Sequence, residues 1–141
     1  MDKKVVKELN AYLKGEYMAI KAYDSFMERI KDPSMKQELQ NIQRDHKKHA
    51  ARVSERINNL GGKPAKGAGL MGTMSDVKNL MKRNSDDTSF ILKDAGKGEY
   101  RGIQMAEEVV KGDLDPDSLK LIKDILNEDR SHVGKLSGFV H

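Results

Sequence analysis

The sequence predicts an all-α protein, a four-helix bundle made of one helical hairpin used twice and joined by a long crossover connection. Three observations carry this. Apolar residues recur at spacings of three and four almost everywhere, and no segment alternates with period two. Asp-Pro occurs at 32–33 and at 115–116, each time between two such periodic stretches. Sliding the chain by 83 residues lays Lys14-Gly15-Glu16-Tyr17 on Lys97-Gly98-Glu99-Tyr100, Asp32-Pro33 on Asp115-Pro116 and His49 on His132, with 11 identities between 6–58 and 89–141. Those identities include the Asp-Pro helix boundaries and the polar positions Glu16 and His49 inside the apolar stripes, where a repeated hairpin needs them.

The first helix carries Val6, Leu9, Leu13, Ile20, Tyr23, Met27 and Ile30, with Glu16 standing in the stripe. It ends near Asp32-Pro33, because Pro disfavours helix in the residue before it and suits the first turn of the next helix. The second helix carries Met35, Leu39, Ile42, Val53, Ile57 and Leu60; His46 and His49 interrupt it and Gly61-Gly62 stops it. The chain from 61 to 87 reads as the crossover. A short amphipathic helix is expected inside it at Ser75–Arg83, with Val77, Leu80 and Met81 covering apolar surface, while Gly67–Gly69 stays mobile. The third helix starts near the capping cluster Ser85-Asp86-Asp87-Thr88 and carries Leu92, Gly96, Ile103, Ala106 and Val110, interrupted by Glu99. Asp115-Pro116 opens the fourth, with Ile122, Ile125, Leu136 and Val140, interrupted by Asp129 and His132. The expected organisation is one domain over 1–141: a hairpin at about 3–60, the crossover at 61–87 and a second hairpin at about 88–140.

Composition excludes several chemistries. With 141 residues and no Cys, the chain has no disulfide framework, thiol nucleophile or Cys-ligated metal. Apolar runs are too short to cross a membrane, and the Met1-Asp2-Lys3-Lys4 start lacks the apolar core of a signal peptide, so a cytoplasmic location is expected. The net charge of +4 is spread among acidic residues, as on solvated helix faces. Its richest basic stretch, Lys63–Lys66 with Lys78, Lys82 and Arg83, has no aromatic platform, so no nucleic-acid partner is expected.

The interrupted stripes are the informative feature. Burying an ionisable group without a partner is costly, yet all four helices place one where a core residue belongs. Glu lies on the first helix of each hairpin and His on the second, 33 residues later in both halves. An antiparallel pair with a short turn brings those two positions level, so Glu16, His49, Glu99 and His132 should converge in one layer. Carboxylates and imidazoles together suit a transition metal. In a metal-free site, repulsion and burial should raise some of the carboxyl pKa values, with protonated His46 and His49 balancing the charge.

This pattern resembles the ferritin-like, rubrerythrin-like superfamily of di-iron carboxylate bundles, and within it an uncharacterised bacterial branch of small bundles. The resemblance covers about 105 residues, all but the crossover and the ends. Such sites combine one Glu from each of two helices with Glu-x-x-His from each of the other two. Glu16 and Glu99 match the lone glutamates, and His49 and His132 match the histidines. Asp129-x-x-His132 keeps the paired spacing with a shorter acid, whereas His46 stands at the corresponding place in the first half. Asp45 and Glu128, one residue earlier, are the alternates, since spacings of three and four share a helix face. The seam Ile42, His46, His49, Val53 favours three and the acid repeated at 45 and 128 favours four; three is the spacing expected. The missing carboxylate leaves open one metal, an asymmetric pair or none.

The resemblance implies iron, up to two ions, with manganese and zinc as alternatives and O2 or peroxide as reactant. Lacking Cys for a rubredoxin-type centre, the chain would draw electrons from an outside donor. A homodimer is compatible with this reading. The competing expectation is a metal-free bundle acting as a stress-related structural or interaction module. Gly15 and Gly98 suggest a close helix approach or room for an ion, and Tyr17 and Tyr100 suggest boundary packing ahead of hydrogen bonding to the glutamates.

Overall fold

The computed structural model describes residues 3–67 and 88–139. They form four helices: α1 Lys3–Arg29, α2 Pro33–Asn59, α3 Thr88–Val110 and α4 Pro116–Phe139. No strand occurs among the described residues. No described helix is long and apolar enough to cross a membrane.

The boundaries follow local chemistry. Asp32 caps α2, its carboxylate accepting from the backbone N–H of Ser34 at 2.9 Å and of Met35 at 3.1 Å, with Pro33 in the first turn. Asp115 does the same for α4 through Ser118 N–H at 3.2 Å, and also accepts from the Arg56 guanidinium at 2.7 Å. Arg56 Nε–H donates to Ser118 Oγ at 3.0 Å, tying the end of α2 to the start of α4. Gly61 takes φ of 83° after α2, while Gly61 N–H reaches Asn58 O and Gly62 N–H reaches Ile57 O. That pair of bonds satisfies carbonyls the last helical turn leaves free, and the positive φ explains why Gly stands there.

α1 packs on α2 and α3, and α4 packs on α3 and α2; α2 and α3 lie diagonally, their backbones not packed against each other. Two apolar layers fill the bundle. One joins Leu9 and Leu13 to Val53, Ile57, Ile103, Ala106, Ile122 and Ile125. The other joins Tyr23, Phe26 and Ile30 to Leu39, Ile42, Ile91, Leu92 and Leu136. The layer at the start of α1 therefore holds the end of α2, the end of α3 and the start of α4. α1 runs antiparallel to α2 and α3, and α2 parallel to α3, so α2 ends at one end of the bundle and α3 begins at the other. This is the crossover order of a ferritin-like bundle rather than that of a simple up-and-down one.

The core differs in places from the expected stripes. On α1, Val5, Tyr12 and Phe26 are buried, whereas Val6, Ile20 and Met27 are half-buried. Because α1 faces two neighbours, its buried arc is wide and is turned toward α3. On α3, Ile91 and Ala95 are buried while Gly96 is half-buried. The short helix expected at Ser75–Arg83, the caps at Ser85–Asp87, Gly69 and Val140 lie outside the described residues.

Asp32→Ala should lower stability by about 1 kcal/mol, an ordinary cap loss. Asp115→Ala should cost more, because it also takes from half-buried Arg56 its closest carboxylate. Chemical denaturation of the metal-free protein checks both; equal losses would show that the Arg56 pairing contributes nothing.

Candidate metal centre

Between the two apolar layers lies a polar one to which every helix contributes. Glu16 comes from α1, His46 and His49 from α2, Glu99 from α3, and Asp129 and His132 from α4; all six are buried. The hairpin turns at Pro33 and Pro116 bring each Glu level with its His, and the antiparallel packing of α1 on α3 brings the two pairs together.

His46 occupies the centre of one side. Its Nδ1 lies 2.8 Å from Glu16 Oε2 and its Nε2 lies 2.7 Å from Glu99 Oε1. Carboxylates only accept, so with both acids ionised each ring nitrogen carries a proton and His46 is an imidazolium. Asp129 occupies the centre of the other side, its Oδ1 being 3.5 Å from His132 Nδ1 and 3.8 Å from His49 Nδ1. His132 Nδ1 is also 3.5 Å from Glu99 Oε1, and His49 Nδ1 is 3.8 Å from Glu16 Oε2. Tyr23 Oη–H donates to Glu99 Oε1 at 2.6 Å.

The outer nitrogens of His49 and His132 are held in a crossed pattern. His132 Nε2 pairs with Asp45 Oδ2 at 2.9 Å, across from α4 to α2, and His49 Nε2 pairs with Glu128 across from α2 to α4. The structure thus separates the two spacings. The residues three before each His, His46 and Asp129, lie inside the layer; those four before, Asp45 and Glu128, sit at its partly exposed edge, each holding the histidine of the other hairpin. This reciprocal pairing accounts for the acid repeated at 45 and 128.

The electrostatics follow from these contacts. Burial pushes the Glu16 carboxyl up, but the imidazoles of His46 and His49 outweigh it and hold it at about 2. Glu99 likewise feels burial first and is held at about 2 by His132 and His46. Burial disfavours the charged form of His132, yet Asp129, Glu99 and Asp45 raise it to about 10. His46 and His49 are also raised, against burial, by their carboxylates. Asp129 is raised, first by burial and then by the charges of Glu16 and Glu99, against the opposing pull of His132. Of the three acids, only Asp129 moves upward; in the two glutamates the neighbouring imidazoles win.

The donor set suits a divalent transition metal. Carboxylate oxygens and imidazole nitrogens are ligands shared by iron, manganese and zinc. His49 Nδ1, His132 Nδ1, Glu99 Oε2 and both oxygens of Asp129 are buried and have no hydrogen-bond partner. Buried polar atoms without partners are uncommon in proteins, and their grouping in one layer of carboxylates and imidazoles fits a cation. His46, Glu99, Asp129 and His132 offer ligand atoms within 4.8 Å of one another, as do Glu16, His46 and His49.

A cavity of about 270 Å³ lies between α1 and α3, walled partly by Gly15, Ala19, Ala22, Ala95, Gly98 and Gly102, and reaches Glu16, His46 and Glu99. A side chain at Gly15 would press on Met105, whereas one at Gly98 would meet nothing within 4 Å. The repeated glycines therefore serve different ends, a close helix approach at one and open space at the other. Tyr17 is half-buried against Gly67, and Tyr100 is 59% exposed rather than packed. The tyrosines at the site are Tyr12 and Tyr23, both lining the cavity. Tyr12 lies four residues before Glu16, one helical turn away on the same face, a spacing that could have flagged it.

The shifts set the pH response of the metal-free fold. Glu16 and Glu99, lowered from 4.5, add stability above pH 4.5 that is lost as pH falls toward 2. His132, raised from 6.5, adds stability below pH 6.5 that is lost as pH rises through 10. The melting temperature should peak between about pH 4.5 and 6.5 and fall steadily toward pH 10. A flat or rising profile above pH 6.5 in thermal denaturation would contradict the charged cluster.

No curated protein matches the chain. Solved structures share its fold. A two-domain protein of Anabaena variabilis, with DJ-1/ThiJ/PfpI-like and ferritin-like domains, is 21% identical, with a TM-score of 0.84 over 95% of this chain and 38% of that one. This chain therefore spans well under half the length of that protein. A dodecameric thioferritin related to bacterioferritin, from Bacteroides fragilis, is 21% identical over 96% and 83% of the two chains, with a TM-score of 0.75. A conserved hypothetical protein of Mycobacterium tuberculosis is 13% identical over 99% and 100%, with a TM-score of 0.80. The bundle is thus ferritin-like in fold. A family profile matches residues 4–112, from the first helix through both lone glutamates to the end of the third. The chain belongs to the family described as a domain of unknown function, DUF2383.

Proposed function

We propose that the protein binds a divalent transition metal, iron first among them, in the polar layer and handles it in reaction with O2 or peroxide. The observation that carries this reading is the set of buried nitrogen and oxygen atoms without hydrogen-bond partners that three helices bring together in one layer. Glu99, Asp129, His132 and His46 would hold the ion, and Glu16 and His49 stand ready beside them. Iron(II) supplies one-electron reduction of an oxygen species when bound. The bacterioferritin relationship of the Bacteroides fragilis protein supports the choice of iron.

The protein's own residues define what the site does. Asp45 and Glu128 accept from the outer nitrogens of His132 and His49, which leaves each Nδ1 facing inward. Ligation requires His132 to give up its Nδ1 proton, and the nearby carboxylates of Glu99 and Asp129 offset the charge of the incoming ion. Tyr23 holds Glu99 in place. The cavity between α1 and α3 supports a route for a small oxidant to Glu16, His46 and Glu99.

A second reading, a metal-free structural or interaction module, is favoured by one observation: His46 already bridges Glu16 and Glu99 by direct contact. The two readings part on metal content and binding. Protein from iron-supplemented cells should carry metal, and the metal-free form should take up iron(II) under anaerobic conditions. At a hundredfold excess over its dissociation constant the ion should stabilise the fold by about 2.7 kcal/mol. Less than about a tenth of an ion per chain, with no iron(II) binding, would leave the module reading standing.

Asp45→Asn should weaken binding by about 10- to 100-fold without unfolding the protein, whereas Glu128→Gln, which backs a histidine outside the four ligands, should weaken it less. Calorimetric titration with circular dichroism as the fold check measures this; an unchanged affinity in both would show that the crossed pairs do not orient ligands.

A further inference from the structure

We infer that the layer holds one metal ion rather than two, bound by His46, Glu99, Asp129 and His132, with Glu16 serving as the hydrogen-bond partner of His46 instead of as a ligand. This rests on reading the layer as a metal centre and specifies its composition.

The two hairpins supply equivalent positions except at one place. The residue three before His132 is Asp129, and the one three before His49 is His46. Both are central: Asp129 lies between the two inward imidazoles, and His46 lies between the two glutamates. A carboxylate in such a position can give one oxygen to each of two ions about 3.5–4 Å apart. An imidazole cannot. Its nitrogens diverge from opposite sides of the ring, and the neutral ring has a single lone pair. His46 therefore serves one ion.

The geometry selects the corner. At bond lengths of about 2.1 Å, tetrahedral donors lie roughly 3.4 Å apart. His132 Nδ1 is already 3.5 Å from both Glu99 Oε1 and Asp129 Oδ1. His49 Nδ1 is 3.8 Å from Glu16 and from Asp129. Four residues meet at the first corner and three at the second. Within the layer, the carboxylate and imidazole atoms without a partner are Glu99 Oε2, both oxygens of Asp129, His132 Nδ1 and His49 Nδ1. All but the last belong to the first corner.

With Nε2 of His46 given to the ion, its Nδ1–H continues to donate to Glu16 Oε2 at 2.8 Å. Glu16 then fixes the tautomer of His46 as Asp45 fixes that of His132, two histidines each backed by a carboxylate. The resulting set, two imidazoles and two carboxylates, suits borderline divalent ions such as iron(II), manganese(II) and zinc(II).

The test is stoichiometry. Metal-free protein is titrated with zinc(II), and anaerobically with iron(II), by calorimetry, and the ions per chain are counted by native mass spectrometry. Wild type should take one ion per chain. Glu99→Gln should lose it, by more than 100-fold in affinity, whereas Glu16→Gln should keep one ion per chain at an affinity about 10- to 100-fold weaker. His46→Glu restores a carboxylate at the second central position and should raise the count to two. Two ions in wild type, or equal loss in Glu16→Gln and Glu99→Gln, would overturn the single-ion assignment while leaving the metal reading intact. No binding of either ion by wild type would overturn both.

Discussion

Two carboxylates at mid-height of a helical bundle are tolerable only because imidazoles stand between them. An ionised acid taken out of water is penalised heavily unless it is paired and hydrogen-bonded. Here His46 touches Glu16 with one nitrogen and Glu99 with the other, so one ring pairs with two acids from two helices, and His49 and His132 stand beside them. The packing of α1 on α3 across this layer depends on that contact, because without it the two negative charges would face each other in an apolar interior. The apolar layers above and below then exclude water and strengthen each interaction between them.

The internal repeat gives the site its near-symmetry, and one substitution breaks it. Glu16 and Glu99, His49 and His132, and Asp45 and Glu128 are equivalent by position, and the crossed histidine–acid pairs repeat that equivalence in space. His46 and Asp129 are equivalent by position and opposite in charge. Each sits among groups of the other kind, a cation between two acids and an acid between two imidazoles. A duplicated hairpin with two identical central carboxylates would crowd four acids into the layer. With His46 there are three acids, and the fold can close over them.

Most of the architecture was legible in the chain because it rests on local signals. Asp-Pro at two equivalent places, Gly61 after the second helix and the three-and-four spacing of apolar residues state their physical meaning without long-range information. The Glu and His interruptions showed where the layer lies, since burial makes them conspicuous. The seam favoured the residue three before each histidine as the inward one, but the role of the residue four before it was not legible. Both spacings share a helix face, and only the packing of α2 on α4 shows that Asp45 and Glu128 reach across to the opposite hairpin. Tyr12 and Tyr23 were hidden for a related reason: Tyr23 reads as ordinary core, and its hydroxyl finds Glu99 only through tertiary packing of α1 on α3. Tyr100 misled in the opposite way, because its likeness to Tyr17 in the repeat does not survive in its surroundings.

The account turns on the protonation and orientation of His46, which nitrogen-15 NMR of histidine-labelled, metal-free protein reports directly. At pH 7 both ring nitrogens of His46 should carry protons, with the Nδ1–H coupled to Glu16 and the Nε2–H to Glu99. On adding zinc(II), the Nε2 signal should move to that of a ligated nitrogen while Nδ1 keeps its proton. A neutral His46 ring in the metal-free protein, or a ring whose signals ignore the ion, would contradict the account.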